Sequence, residues 1–276
     1  MARTSPTFRR RRLARRIRQL REEARMTQEK AAAGLDMSTS ALSRKETGEV
    51  ATSVHEVRSM MDLYDRYDPD LLDLARAARE KPWWHLYGIT KRGYYDLEEE
   101  ASSVREWQFS FVPGMFQTAD YARELFEASG ALEADDVENA IAARMRRRSR
   151  LFDEDFPLSF SAVVDESVLQ RPVGGAAVMH GQLLQMLEFA EIPNVNLQVM
   201  PLSAGAHRGM EGSFTLLSYA APEDPDILFI EHATGSLHVE KVEAVSAATL
   251  NFERLRAEAL SSKDSATLIH RLVSGL

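Results

Sequence analysis

Apolar residues recur every three or four positions through the first 80 residues, which is the spacing of amphipathic α-helices. This periodicity predicts a first helix over residues 9–24, a fourth over 54–64 and a fifth over 70–80. Beyond residue 100 the pattern changes, because segments that alternate apolar and polar side chains, typical of strands, occur between helical ones. The sequence therefore predicts an all-α part of five helices followed by a part that mixes helices and strands.

Two short helices joined by a turn are predicted between Met26 and Gly48. The hydroxyl groups of Thr27 and Ser38 suit them as N-caps, since each can accept a hydrogen bond from a free amide of the next turn. Gly48 fits the left-handed residue that ends the second short helix. Residues 35–37 form the turn between the two helices.

The second short helix exposes hydroxyl groups and one guanidinium. Its polar face carries Thr39, Ser40, Ser43 and Arg44. An arginine can bind guanine through two hydrogen bonds, and serine or threonine can donate to or accept from a base edge. This face therefore suits a helix that reads the major groove of DNA. The alternative is a surface helix of a helical bundle.

The segment from Thr27 to Gly48 resembles the helix-turn-helix of the Xre/Cro, phage-repressor-like regulators. The resemblance is carried by Thr27-Gln28 and by the pattern SxSxLSRxExG that starts at Ser38. It implies that the bases are read by Thr39, Ser40 and Arg44. It implies that the DNA phosphates are approached by Thr27, Gln28, Ser43 and Thr47. It also implies a partly buried structural ion pair between Arg21 of the first helix and Glu46.

The sequence departs from that family pattern at three positions. Arg25 and Asp36 stand where the family often has glycine, so both positions are expected to need a positive φ, at a higher cost for Arg25. Lys45 replaces a residue that is usually aliphatic. These changes bear on loop geometry and local stability.

Charge is divided unevenly along the chain. Residues 1–60 contain 14 Lys and Arg against 7 Asp and Glu, whereas the other 216 residues contain 20 against 35. A basic module on an acidic body is expected if only the module meets DNA phosphates. The basic run of the first helix predicts phosphate contacts by Arg9, Arg10 and Arg12, with a solvated helix face as the alternative.

Composition excludes several classes of site. With no cysteine, the chain has no disulfide, thiolate metal site or cysteine nucleophile. The seven histidines form neither HxxxH nor HExxH, so we expect no metal and no cofactor. Catalysis is not expected, although the best candidates for acid–base chemistry are His207, the pair Glu231-His232 and the segment His238-Val239-Glu240. Without a membrane span or a secretory signal, the protein is expected in the cytoplasm.

The C-terminal part is predicted to be an α+β domain with a mainly antiparallel sheet. Its segments LExxA at residues 97–101 and VPGxxQTxxYAR at residues 112–123 resemble the WhiJ-like and Scr-type, antitoxin-like bacterial regulators. The expected domains are residues 1–80, the helix-turn-helix domain, and 82–276, the sensing and dimerisation domain. The paired Trp83 and Trp84 are expected either to dock on the second domain or to pack in a core. The basic run over Arg144–Arg150 is either a solvated face or a second charged contact surface.

Together these features predict a sequence-specific DNA-binding transcriptional regulator. Such a protein is expected to be a homodimer on double-stranded DNA, with an operator of inverted half-sites. A small protein partner or small-molecule ligand is expected at the C-terminal domain. The resemblance implies one alternative, an antitoxin-like protein that neutralises a small partner protein and regulates its own operon.

Overall fold

The computed structural model describes residues 7–89 and 93–276, which form two compact units. The first unit contains residues 7–85 and 93–100, and the second contains residues 86–89 and 101–276. The fold class predicted from the sequence is confirmed, since a helical N-terminal region precedes an α+β region. Within the described residues, no helix is long and apolar enough to cross a membrane.

Five helices begin the first unit. They are α1 (Phe8–Glu23), α2 (Gln28–Gly34), α3 (Thr39–Glu46), α4 (Val54–Tyr64) and α5 (Pro69–Ala77). Each begins after a side chain that accepts a hydrogen bond from an amide of its first turn; these N-caps are Thr7, Thr27, Ser38, Ser53 and Asp68. Their apolar faces meet in one core, in which Ile17, Leu42 and Val57 are fully buried. The five helices predicted from the sequence are therefore present, three of them located by apolar periodicity and the two short ones by their N-caps.

The first unit also includes a segment that follows residue 82 in the sequence. Residues 83–85 of this unit belong to a 3₁₀ turn, Trp83–Tyr87, and α6 spans Tyr94–Glu99. The backbone N–H of Phe8 donates to Asp96 at 2.6 Å, which ties α6 to the start of α1. From the sequence this segment is predicted to belong to the C-terminal domain, since no local pattern reveals a contact across 88 residues.

The Trp pair packs inside the first unit. Trp84 is buried, and Trp83 makes edge-to-face contacts with both Trp84 and Tyr95. The indole N–H of Trp83 donates to Glu99 at 2.8 Å. Of the two roles expected for the pair, the structure shows core packing.

A six-stranded mixed sheet organises the second unit. Its strands are β1 (Ser103–Gln108), β2 (Ser159–Asp165), β3 (Val195–Met200), β4 (Phe214–Ser218), β5 (Ile227–His232) and β6 (Gly235–Val239). The spatial order is β3-β2-β1-β4-β5-β6. Strands β1, β2 and β3 pair in parallel, whereas the pairs β1–β4, β4–β5 and β5–β6 are antiparallel.

Helices connect and cover this sheet. They are α7 (Ala119–Ser129), α8 (Ala134–Arg147), α9 (Glu166–Gln170), α10 (Gly175–Ala190), α11 (Val242–Glu258) and α12 (Ser262–Ser274). The parallel pairs follow from this order, since parallel neighbours need a long crossover connection, here made by α7, α8 and α10. One core cluster joins Trp107 of β1 and Leu216 of β4 to Phe252 of α11.

The two edges of the sheet differ. At β3, Val199 accepts a hydrogen bond from the amide of Leu260 and donates one to Ser265, so the segment that joins α11 to α12 covers this edge. At the opposite edge, every residue of β6 except Val239 is exposed. Leu237 is 53% exposed there.

The VPGxxQT segment and the Arg144–Arg150 run hold each other in place. Gln117 is fully buried and donates to the carbonyl oxygen of Val112 at 2.6 Å. Arg144 donates to the side chain of Gln117 at 2.5 Å, and Arg148 donates to its carbonyl oxygen at 3.2 Å. Arg150 donates to the carbonyl oxygen of Ala101 at 2.8 Å. These three arginines therefore serve the packing of the second unit, a role that neither sequence interpretation included.

Candidate nucleic-acid interface

Helices α2 and α3 are joined by a turn of four residues, from Leu35 to Ser38. That length is typical of a helix-turn-helix motif. The motif also packs closely against α4, since a Cβ atom at Gly34 would lie 2.8 Å from the side chain of Leu63. A side chain at this position would have to displace Leu63, so glycine sets the distance between α2 and α4.

Arg25 and Asp36 both adopt left-handed backbone conformations, with φ of 54° and 52°. Each follows the C-cap of its helix. The N–H of Arg25 bonds to Glu22, and the next amide, from Met26, bonds to Arg21, which is the pattern of a Schellman motif. The positive φ expected at both positions is thus present in the structure.

Replacing Arg25 with glycine should raise the free energy of unfolding of the first unit by about 0.5–1 kcal/mol, because glycine adopts a positive φ without steric cost. Asp36→Gly should raise the free energy of unfolding by a smaller amount, since aspartate tolerates a positive φ better than arginine does. Chemical denaturation measures both. Arg58→Gly, at an exposed position inside α4, is the matched control, and its free energy of unfolding should fall by about 1 kcal/mol. A lower free energy of unfolding in Arg25→Gly would contradict the expectation that the positive φ of Arg25 destabilises the first unit.

Helix α3 separates its buried and exposed residues cleanly. Leu42, Lys45 and Glu46 are buried, whereas Ser40, Arg44 and Thr47 are exposed. Thr39 and Ser43 are half-buried beside them. Neighbours four residues apart share a helix face, so these five polar residues form one continuous surface, here called the polar face of α3.

A buried carboxylate connects the three N-terminal helices. Glu46 has a side chain that is 1% exposed. It accepts hydrogen bonds from Nε of Arg21 at 2.7 Å and from a second guanidinium nitrogen of Arg21 at 3.0 Å. Gln28 supplies a third donor at 2.7 Å. The ion pair implied by the resemblance is therefore present in two-point geometry, and it fixes α3 relative to α1 and α2.

Both members of this pair are buried, with side chains 8% exposed for Arg21 and 1% exposed for Glu46. Hydrogen bonding to Glu46 raises the pKa of Arg21, although burial opposes the shift. Burial, helped by the negative charge of Glu46, raises the pKa of the Tyr64 hydroxyl to about 12. Removing either partner of such a buried ion pair is strongly destabilising, because the charge of the other partner is then buried without compensation.

A second ion pair lies at the same, C-terminal end of α3 and connects it to α4. Lys45 lies 2.8 Å from Glu56 and donates to the carbonyl oxygen of Ala51 at 3.2 Å. Glu56 also accepts from the backbone N–H of Ser53, which completes a capping box at the start of α4. The lysine that departs from the family pattern thus joins α3 to α4.

Glu56→Gln should lower stability most near neutral pH and progressively less as the solution is acidified. Burial acts to raise the pKa of Glu56, but the bonds from Lys45 and Ser53 outweigh it and lower that pKa. The charged carboxylate therefore stabilises the fold above the unfolded pKa of about 4.3, and this contribution is lost as pH falls through the lower folded value.

Denaturant midpoints of the wild type and Glu56→Gln between pH 3 and 7 test this dependence. Glu23→Gln, at an exposed position of α1, is the control and should follow the wild type throughout. A constant gap between the wild type and Glu56→Gln across the range would contradict the expectation.

The predicted phosphate contacts differ in their surroundings. Thr27 and Thr47 are exposed. Gln28 is half-buried and uses its amide nitrogen on Glu46, a role that the sequence did not suggest. Arg9 donates to Glu100 at 2.5 Å and lies 3.7 Å from Glu80. The remaining three predicted residues, Ser43, Arg10 and Arg12, are half-buried, and the two arginines have other interactions within the chain.

The histidines considered for catalysis lie in the second unit. His207 packs edge-on against Trp107, accepts from the N–H of Gly209 at 3.2 Å and lies 3.6 Å from Asp165. His232 is exposed at the β5–β6 hairpin and contacts Thr234. Among the described residues, no three His, Asp or Glu side chains are grouped to hold a metal ion.

Comparison with protein families agrees with this geometry. A helix-turn-helix domain model matches residues 12–75, which contain α2, α3 and their turn. A second model, described as a domain of unknown function (DUF5753), matches residues 92–271, more than half of the chain. The chain belongs to the DUF5753 family. In this DUF5753 protein the family domain thus follows a helix-turn-helix domain.

Neither a comparison with curated proteins nor one with solved structures found a match. The helix-turn-helix assignment therefore rests on the domain match and on the geometry of the first unit.

Proposed function

We propose that this DUF5753 protein is a sequence-specific DNA-binding transcriptional regulator of the Xre-like, phage-repressor type. The observation that carries the proposal is the polar face of α3, which presents Ser40, Arg44 and Thr47 to solvent on a helix whose other face is anchored. Hydroxyl and guanidinium groups on an exposed helix are suited to base edges in a major groove. The ion pairs on that buried face support a fixed position of the polar face, which the reading of a specific base sequence requires.

The distribution of charge along the chain also supports DNA binding. The first 60 residues carry an excess of seven positive charges, whereas the remainder carries an excess of fifteen negative charges. Phosphate contacts supply much of the affinity of DNA-binding proteins and make it salt-dependent. Binding through the first unit alone is therefore favoured. We further propose that catalysis is not part of the function.

Selection of bound genomic fragments, followed by nuclease footprinting at moderate salt, tests the proposal. The expected result is a discrete protected site with two inverted half-sites, whose centres lie about 34 Å apart on one face of the DNA. Binding that shows no preferred sequence at any salt concentration would contradict it.

We propose that the second unit forms the homodimer through the exposed edge at β6. An uncovered edge strand offers backbone groups that can pair with a strand of another chain. Antiparallel pairing of β6 with the β6 of a second copy is compatible with the two-fold symmetry of inverted half-sites. The exposed side chain of Leu237 would be covered in such a pair.

Light scattering after size exclusion should therefore show a dimer for the wild type and a monomer for Leu237→Lys. Leu202→Lys is the matched control, because Leu202 is 54% exposed against 53% for Leu237 but lies outside the sheet. A dimer that survives Leu237→Lys unchanged would exclude this interface.

A further inference from the structure

Three residues other than glycine have a positive φ in the part of the chain that the structure describes. Two of them are aspartates, Asp36 and Asp65, whose short side chains can bond locally and ease this conformation. The third is Arg25, whose long side chain offers no such help at a φ of 54°. Backbone strain is concentrated at functional sites, which points to a function for the side chain of Arg25.

The guanidinium of Arg25 is exposed and has no hydrogen bond or ion pair with the residues that the structure describes. Other arginines of the first unit differ in this respect, since Arg18 donates to Glu22 and Arg21 donates to Glu46. No contact of its side chain within the described fold therefore offsets the strain at Arg25.

Arg25 lies near the C-terminal end of α3, beside its polar face. The carbonyl oxygen of the next residue, Met26, accepts a hydrogen bond from Arg21 at 2.7 Å. The same guanidinium binds Glu46, and Thr47 of the polar face follows Glu46 directly. One side chain thus connects the junction of α1 and α2 to the end of α3.

A helix that occupies a major groove brings the segments beside it close to the sugar-phosphate backbones. An α-helix with its side chains is about 10–12 Å wide, and the major groove of DNA is about 12 Å wide. A cation beside the polar face of α3 is therefore expected to meet phosphate oxygens and not base edges. The guanidinium of an arginine can donate two parallel hydrogen bonds to one phosphate.

We propose that Arg25 is a phosphate-binding residue that adds one charge-assisted contact to DNA for each bound copy of the chain. This role rests on the proposed DNA binding. The positive φ of Arg25 lowers the stability of the first unit, whereas the phosphate contact is gained only in the complex. Replacing Arg25 with glycine should therefore stabilise the protein and weaken its binding to DNA.

Fluorescence anisotropy on the full chain tests this role with the operator obtained by selection and with a scrambled duplex, between about 50 and 200 mM salt. Arg25→Gly and Arg25→Gln should weaken binding to both duplexes several-fold and by the same factor, because a phosphate contact carries no sequence information. The slope of log affinity against log salt should become shallower by about 0.9 for each bound copy of the chain. Arg25→Lys should keep most of the wild-type slope, since lysine also neutralises a phosphate.

Arg58→Gln is the matched control. Arg58 is an exposed arginine of α4 that also has no partner among the described residues, so this variant removes the same charge at a different place. Its salt slope should equal that of the wild type. Chemical denaturation of Arg25→Gly separates binding from folding, because a variant that is more stable than the wild type cannot lose DNA affinity through unfolding.

Two outcomes would overturn the role of Arg25 and leave the proposed function intact. One is a salt slope that changes no more in Arg25→Gly than in Arg58→Gln. The other is a loss of affinity for the operator alone, which would make Arg25 a base-reading residue. If the wild type binds neither duplex, the proposed function fails, and the role of Arg25 fails with it.

Discussion

Replacing Glu46 with alanine is expected to destabilise the first unit by about 3–5 kcal/mol, because it leaves the guanidinium of Arg21 buried without its counter-charge. The same change removes the acceptor of Gln28. Arg21→Met should destabilise the first unit by a similar amount, since it leaves the carboxylate of Glu46 buried without its counter-charge. The double variant Arg21→Met with Glu46→Leu should recover much of the loss, because no buried charge remains.

Chemical denaturation combined with hydrogen exchange of peptides from residues 8–64 measures this cycle in the first unit. Glu23→Ala is the control, since Glu23 is an exposed glutamate of α1 that accepts a hydrogen bond from Gln19 on the same helix. Its effect should stay within about 0.5 kcal/mol. If the losses of the two single variants simply add in the double variant, the pair is not coupled and the expectation fails.

Arg44→Ala is expected to weaken binding to the operator by about 1–3 kcal/mol, which corresponds to a factor of about 5 to 150, while binding to random DNA changes little. The reason is that a guanidinium on the polar face of α3 can make two hydrogen bonds to one guanine, and alanine can make none. Base preference should relax at one position in each half-site.

Gel-shift titration against the selected operator and a scrambled duplex measures both affinities. Arg58→Ala, an exposed arginine of α4, is matched in charge and should leave the ratio of the two affinities unchanged. Equal losses on both duplexes in Arg44→Ala would mean that Arg44 contacts phosphate and would refute its role in reading bases.

Local sequence signals located most of the first unit. Helices α1 to α5 have strong apolar periodicity and hydroxyl or carboxylate N-caps, so their approximate limits follow from the sequence alone. The positive φ at Arg25 and Asp36 was expected because glycine is usual there in the family that the segment resembles. These features depend on residues within a few positions of each other.

Contacts between distant residues could not be read from the sequence. Arg9 contacts Glu100, which lies 91 residues away in the sequence. The amide nitrogen of Gln28 donates to the buried Glu46, an acceptor 18 residues away. Neither contact has a local sequence signal, and the phosphate contacts of both residues stay predictions. The short helix α9 has no sequence signal either, because five residues carry too little periodicity.

The covered edge at β3 limits the number of copies of the chain that can join this sheet. A strand that joins β6 extends the sheet in one direction only, since the amide and carbonyl of Val199 are already bonded to Ser265 and Leu260. Two copies joined through the proposed β6 contact would form a twelve-stranded sheet whose two outer strands are both β3, where Val199 has already used its backbone groups. Such pairing would be expected to stop at the dimer and not to continue into a fibre.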